Sequence, residues 1–229
     1  MKRSEINSYI AEAIDFFAAN HFFLPPFASW TPDMWRLCGK EVDEIQLSKL
    51  GWDITDFGSG NFLSCGLTLF TLRNGGDDKT GYFKPYAEKI MLVREQQVTP
   101  LHCHHTKTED IINRGGLTTN GDLVVQLYHS TAGGKLADTS VHVICDGILR
   151  KIDAGKTVTL KAGESITLLP HTYHTFYATN GPALIGEISS TNNDADDNYF
   201  HLPIPRFPVI EEDEPPLRLL CTEYLKRTC

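Results

Sequence analysis

Apolar residues recur at helical spacing near the start of the chain. Ile6, Tyr9, Ile10, Ala13, Ile14 and Phe17 form one stripe, as expected of a helix with one buried face. Ser4 stands where a capping residue would, and the stripe stops near Asn20. The stretch from His21 to Trp30 contains Pro25-Pro26, which cannot continue a helix. Its Phe and Trp side chains either pack in a core or wall a site. Thr31-Pro32-Asp33 restarts a short helix, with proline in the first turn. Residues 1–50 are therefore expected to form a helical extension.

From Gly51 the periodicity changes to short runs separated by Gly, Asn and Asp. Phe62 to Leu72 reads as a strand closed by Arg73-Asn74-Gly75-Gly76, a strong turn signal. Further strands are expected at Ile90 to Val93, Leu123 to Tyr128, Thr157 to Leu160, Ser165 to Leu169 and Ala183 to Ser189. Val141 to Cys145, Asp146-Gly147 and Ile148 to Lys151 read as a two-residue hairpin. Many short strands with close turn signals imply an all-β barrel or sandwich. Arg206 to Pro216 is acidic and proline-rich, but Leu217 to Leu225 is apolar again, so the tail should return to pack on the barrel. Residues 51–229 are expected to be the barrel with this tail, forming one structural domain with the extension.

Composition narrows the function. A hydrophobic fraction of 41% over 229 residues supports a sizeable core. A net charge of −8 argues against a nucleic-acid partner, since phosphate neutralisation needs clustered Lys and Arg. No apolar run approaches the roughly 20 residues of a membrane span. The basic start Met1-Lys2-Arg3 has no apolar stretch behind it, so no signal peptide is expected. Cys38, Cys65, Cys103, Cys145, Cys221 and Cys229 are scattered. Reduced thiols in a cytoplasmic protein are the simplest reading.

The candidate chemistry begins at Pro100-Leu101-His102-Cys103-His104-His105-Thr106-Lys107-Thr108-Glu109-Asp110. On a strand His102 and His104 share a face, while Cys103 and His105 point away. A short turn can bring Glu109 back to that face. Neutral imidazole and carboxylate suit a divalent transition metal. A second segment, Gly163 to His174, carries a strand-like run, Pro170, then His171 and His174. Two such segments suggest one metal held between two strands.

His102-x-His104, Glu109 and Gly115-Gly116 resemble the first cupin motif, and Gly163-Glu164 through Pro170 and His174 resemble the second. A glycine usually stands where His171 is found; His174 holds the motif's histidine position. The longer string from His102 to Gly116 is similar to the D-lyxose isomerase family. So are Gly186-Glu187-Ile188-Ser189, Asp196-Asp197-Asn198, and Arg206-Phe207 with Ile210-Glu211-Glu212-Asp213. Leu117-Thr118-Thr119-Asn120 departs from it as a loop insertion, not expected to reach the metal.

The resemblance implies a cupin (jelly-roll) β-barrel, mainly β, with the helical extension packed on it. It implies manganese held by His102, His104, Glu109 and His174, and interconversion of D-lyxose and D-xylulose with some activity on D-mannose and D-fructose. It also suggests Arg206, Glu212 and Asp213 as groups for sugar hydroxyls. Moving hydrogen between C1 and C2 calls for polarised oxygens and proton transfer. Lys107, between two proposed ligands, is the candidate donor, with a pKa lowered by the metal's field. Glu187, a carboxylate on a barrel strand, is the candidate base, since burial there needs a partner or a cavity. Both would also bind substrate. An enediol and a hydride shift stay open. A homodimer is expected from exposed sheet edges. His105, His129, His142 and His201 are expected to be structural or exposed. Competing readings are an iron cupin dioxygenase, a cupin sugar-phosphate isomerase and a non-catalytic sugar-binding cupin.

Overall fold

The structure is a computed structural model that describes residues 1–75, 81–119, 121–194 and 196–224. Gly76, Asn120, Leu225 and Cys229, which enter the expectations above, lie outside the described residues.

Helix α1 (Arg3–Ala19) buries Ile6, Ile10, Ala13 and Phe17, the stripe expected from the pattern. It begins two residues earlier than Ser4 suggested. The cap position is Lys2, whose N–H donates to Glu5 Oε2 at 2.7 Å. The Ser4 hydroxyl instead donates to Asp213 Oδ2 at 2.6 Å. The Asn20 side chain closes the other end, donating to the Phe16 carbonyl at 2.8 Å. A short 3-10 turn at Pro26–Ser29 follows. Helix α2 (Pro32–Leu37) then starts from Thr31, whose hydroxyl accepts the Met34 N–H at 3.3 Å. Helix α3 spans Asp43–Leu47.

The aromatic stretch is packing. Phe27 sits 5.3 Å, ring to ring, from Phe70, and the Trp52 indole donates to the Ala28 carbonyl at 2.8 Å. These side chains join α1 in a core on the outer face of the larger sheet.

That sheet orders its strands β1 (Gly51–Thr55), β2 (Leu67–Arg73), β3 (Ala87–Val93), β12 (Ala183–Ser189), β5 (Glu109–Asn113), β10 (Ser165–Leu168), β7 (Val141–Cys145) and β8 (Ile148–Ile152). The smaller sheet orders β13 (Tyr199–Phe200), β4 (Thr99–Cys103), β11 (Thr172–Thr179), β6 (Asp122–His129) and β9 (Thr157–Leu160). All named pairings are antiparallel.

Alternation decides which core each residue enters. On β3, Met91 and Val93 face the space between the sheets, while Ile90 and Leu92 face α1. Both faces are covered, which is why this strand reads as an unbroken apolar run. The hairpin forms as expected, with Asp146 and Gly147 both at positive φ, the requirement of its tight turn.

The expected strand from Phe62 starts only at Leu67. Asn61 to Cys65 form a turn instead, with the Cys65 N–H on the Asn61 carbonyl at 3.0 Å. The tail returns as expected. Leu220 is buried and the Cys221 N–H donates to the Trp52 carbonyl at 2.8 Å. The tail also crosses the start of α1, where the Arg3 N–H donates to the Glu211 carbonyl at 2.8 Å.

Candidate metal centre and active site

Strands β4 and β11 lie side by side in a register that pairs His102 directly with His174. Their rings are 4.2 Å apart, centre to centre. His104, one residue beyond the end of β4, adds a third ring, 5.3 Å from His102 and 5.8 Å from His174. One ligand nitrogen from each of the three can be chosen so that all lie within 4.8 Å of one another, and all three residues are buried. Glu109 opens β5 on the facing sheet. Its Oε1 lies 3.0 Å from His174 Nε2, and its Oε2 lies 3.7 Å from His104 Nε2.

The tautomers follow from the main chain. His102 Nδ1 lies 2.7 Å from the Pro100 carbonyl, His104 Nδ1 2.5 Å from that of Asp197, and His174 Nδ1 3.1 Å from that of Thr172. A carbonyl only accepts, so each Nδ1 carries a hydrogen, and Nε2 is the nitrogen left to face the cavity. Burial, and after it the neighbouring His174, holds His102 well below the ordinary imidazole range. Burial, then the Lys107 charge, lowers His104 to about 4. Both are neutral near pH 7. Burial alone would raise the Glu109 pKa, but the Lys107 ammonium outweighs it and holds the carboxylate ionised. Two of the converging atoms, His104 Nε2 and Glu109 Oε1, are buried without a hydrogen-bond partner. Orphaned lone pairs are costly in a core, and a cation between them satisfies both. The histidine group can therefore hold a divalent metal ion.

His171 does not join the group. It is exposed, sits at a φ of 65°, and donates its N–H to the His104 carbonyl at 2.7 Å. Cys103 is buried but turned from the cavity by strand alternation. His105 stacks on Tyr199 at 3.6 Å, and His142 and His201 are exposed. In the inserted loop, Thr118 bonds Asn20 Oδ1 beyond α1, away from the histidines.

A cavity beside the histidines is lined by Lys89, Lys107, Glu187, Asp194, Asn198 and Arg206. Apolar walls come from Phe57, Leu69, Met91 and Phe176. Lys107 Nζ lies 2.6 Å from Glu109 Oε2 and 3.1 Å from Glu187 Oε1. The protein's own charges act on Lys107 in the direction opposite to the lowering expected from a metal's field. Burial pushes that pKa down, but Glu109 and Glu187 outweigh it and keep the ammonium protonated above the ordinary lysine range. Burial likewise opposes ionisation of Glu187, and Lys107 with Lys89 overcomes it. Arg206 reaches the cavity and is anchored from behind by Asp53 Oδ2 at 2.5 Å and Asp194 Oδ2 at 3.4 Å.

Glu212 and Asp213 require a correction. Glu212 pairs with Arg3 at 2.6 Å, and Asp213 accepts the Ser4 N–H and hydroxyl. Both fasten the tail to α1 and neither lines the cavity. Conversely, Lys89 and Asp194 line it without having been singled out, and Asn198, noted only within the Asp196-Asp197-Asn198 resemblance, lines it too. Lys89 left one signal, a charge abutting the apolar run Ile90 to Val93.

Two antiparallel sheets with three histidines gathered between paired strands define a cupin of the jelly-roll class. A family model described as D-lyxose isomerase matches residues 1–224. The D-lyxose/D-mannose isomerase of Escherichia coli O157:H7 is 47% identical over 227 residues, 98% of each chain. The enzyme of that name from Serratia proteamaculans is 47% identical over 229 residues, 99% of each. Among solved structures, an Acinetobacter sp. DL28 L-ribose isomerase mutant with L-ribose gives a TM-score of 0.58 at 15% identity, covering 92% of this chain and 98% of that one. That likeness concerns the fold. The chain belongs to the D-lyxose isomerase family, and it is an aldose–ketose isomerase, an intramolecular oxidoreductase acting on free sugars.

Proposed function

We propose that this enzyme interconverts D-lyxose and D-xylulose, and D-mannose and D-fructose, with Mn2+ held by His102, His104, Glu109 and His174. The single observation that carries the reading is the adjacency of the His102/His104/His174 group to a buried Lys107–Glu187 pair in one cavity. The substrates follow the names of the two relatives at 47% identity. Neutral imidazoles and a carboxylate suit a divalent transition metal, and the choice of Mn2+ among them follows the family resemblance.

When bound, the metal supplies Lewis acidity toward the substrate's carbonyl and neighbouring hydroxyl oxygens. The remaining roles belong to side chains. Lys107, kept protonated by two carboxylates, donates to the oxygen that gains charge as the carbonyl is reduced and recovers a proton from the neighbouring hydroxyl oxygen as that becomes the new carbonyl. Glu187, kept ionised, takes the proton from C2 of the aldose and returns it at C1. Arg206, held rigid by Asp53 and Asp194, binds sugar hydroxyls. Apolar walls exclude water from the reacting carbons.

The reading takes residues 1–50 and 51–229 as one structural domain, supported by the aromatic core they share. It takes the enzyme as a cytoplasmic homodimer. The described cysteines are free thiols, which suits a reducing compartment. The edge strand β8 exposes Ile148 and Leu149, which suits a partner surface. Light scattering at working concentration checks the dimer, and a monomeric mass refutes it. The activity test is incubation of Mn2+-loaded protein with a panel of free pentoses and hexoses, followed by chromatography. Ketose formation from lyxose and mannose is expected. Turnover of phosphorylated sugars only, oxygen uptake, or binding without turnover would each overturn the reading.

A further inference from the structure

Lys89 is buried in the wall of the active-site cavity, yet the chemistry above does not use it. Alternation along β3 puts it on the cavity face with Met91 and Val93. Its direct cross-strand partner on β12 is Glu187. Lys89 Nζ lies 3.1 Å from Glu187 Oε1 and 2.9 Å from Asn192 Oδ1. Lys107 approaches the same two oxygens from the loop after β4, at 3.1 Å and 3.4 Å. Asn192 is itself held in place. Its N–H donates to Asn74 Oδ1 at 2.9 Å, and its carbonyl accepts from Asn74 Nδ2 at 3.0 Å.

Both ammonium groups thus meet the same carboxylate oxygen, Glu187 Oε1. Two buried lysines at this separation repel each other and are stable only because Glu109, Glu187 and Asp194 surround them. The arrangement has a consequence during turnover. The Lys107 ammonium has three N–H bonds, and Glu109, Glu187 and Asn192 already surround it, so donation to a sugar oxygen loosens its hold on this cluster. Lys89 has no second task, so it keeps the carboxylate ionised and fixed in rotation while Lys107 turns to the substrate. A base free to rotate would lose the alignment that makes proton transfer fast.

We propose that Lys89, braced by Asn192, is a positioning residue for isomerisation: it clamps Oε1 of Glu187 and so fixes the rotation at which the carboxylate meets the substrate carbon. This rests on the reading of Glu187 as the proton acceptor.

The test compares Mn2+-loaded Lys89→Met, Lys89→Arg, Glu187→Gln, Asn192→Ala and the Lys89→Met/Glu187→Gln double variant. Metal content is measured alongside kcat and KM for lyxose. Lys89→Met should keep its metal and its KM and lose kcat by about tenfold to a hundredfold, the cost of a misaligned reacting group. Lys89→Arg should recover part of that loss, and Asn192→Ala should show a smaller fall in kcat. Adding Lys89→Met to Glu187→Gln should cost nothing further, because the clamp has lost its object. A wild-type kcat in Lys89→Met, a change in KM alone, or a loss that multiplies with that of Glu187→Gln would overturn the inference while leaving the base assignment standing. Wild-type turnover in Glu187→Gln would overturn the base assignment itself, and the inference with it. If Lys89→Met does not fold, Asn192→Ala with Lys89→Arg carries the same comparison, and wild-type kcat in both refutes the clamp.

Discussion

His104 directs its Nδ1 hydrogen at the main-chain carbonyl of Asp197, 2.5 Å away. The carboxylate of that same Asp197 accepts the N–H groups of His105, Thr106 and Lys107 and the Thr106 hydroxyl. One aspartate thus orients a histidine of the metal group and shapes the turn that carries Lys107. Alanine there keeps the carbonyl but loses the carboxylate that fixes its place, so metal affinity should fall, by at most the roughly 10–100-fold of losing an outer partner of a ligand outright. The measurement is titration of the metal-free protein with Mn2+, and unchanged affinity would deny the link.

The same residue sets an acid-side dependence of stability. Burial raises the Asp197 pKa, but the Thr106 hydroxyl and the three backbone amides outweigh it and leave the folded value below the ordinary one. A depressed folded pKa contributes stability that is complete above the unfolded pKa of about 3.9 and is lost as pH falls through the folded value. Asparagine keeps the shape but loses the charge. In denaturant melts of metal-free protein, the gap between wild type and Asp197→Asn should be constant near neutrality and narrow below about pH 4. A gap that widens in acid would contradict it.

Alanine at His102, His104, Glu109 or His174 should lower metal content and activity together, whereas His171→Ala should keep both. Chelation should inactivate the enzyme and Mn2+ restore it, with a rise in melting temperature because the ion binds the folded state. Elemental analysis and calorimetry read these outcomes. Metal loss in His171→Ala, with none in His174→Ala, would reverse the assignment.

Some of this was legible from residues alone. Strands β9 and β12 begin and end where their apolar runs do. His102 and His104 are two apart on a strand, and a motif located His174. Asp194 and Lys89 were hidden for physical reasons, and so was the grip of Asp197, which entered only as part of a resemblance. An Asn- and Asp-rich stretch reads as a solvated loop, and what it grips lies about ninety residues away in sequence. Lys89 reads as the polar end of a strand until the register with Glu187 is known. Glu212 and Asp213 misled because an acidic run shows charge without showing which surface it faces. That surface proved to be Arg3 and Ser4.

Glu212→Ala and Asp213→Ala should therefore leave kcat and KM unchanged. They should lower the melting temperature only slightly, since both side chains are near the surface and screened. Arg3→Ala should lower it more, because Arg3 is buried and is bonded to both Glu212 and Glu223. Calorimetry with initial-rate kinetics checks all three. A raised KM in Glu212→Ala would return that residue to the sugar site.

The last expectation separates binding from proton transfer. Lys107 and Glu187 touch each other and line the cavity, but the proposed metal ligands are four other residues. Lys107→Ala and Glu187→Gln should therefore keep metal while losing kcat by roughly a hundredfold or more, the range of lost acid–base assistance. Glutamine retains the shape of Glu187 and cannot take a proton. If Glu187 carries the proton from C2 to C1, aldose formed from ketose in deuterated water should gain deuterium at C2, because the bound proton exchanges during the transfer. Mass spectrometry reads this directly. Wild-type protein should incorporate label, and Glu187→Gln should show label and turnover falling together. Turnover with no incorporation in the wild type would instead favour direct hydride transfer, in which Glu187 only orients hydroxyls. Loss of metal in Glu187→Gln would place that carboxylate in the metal site.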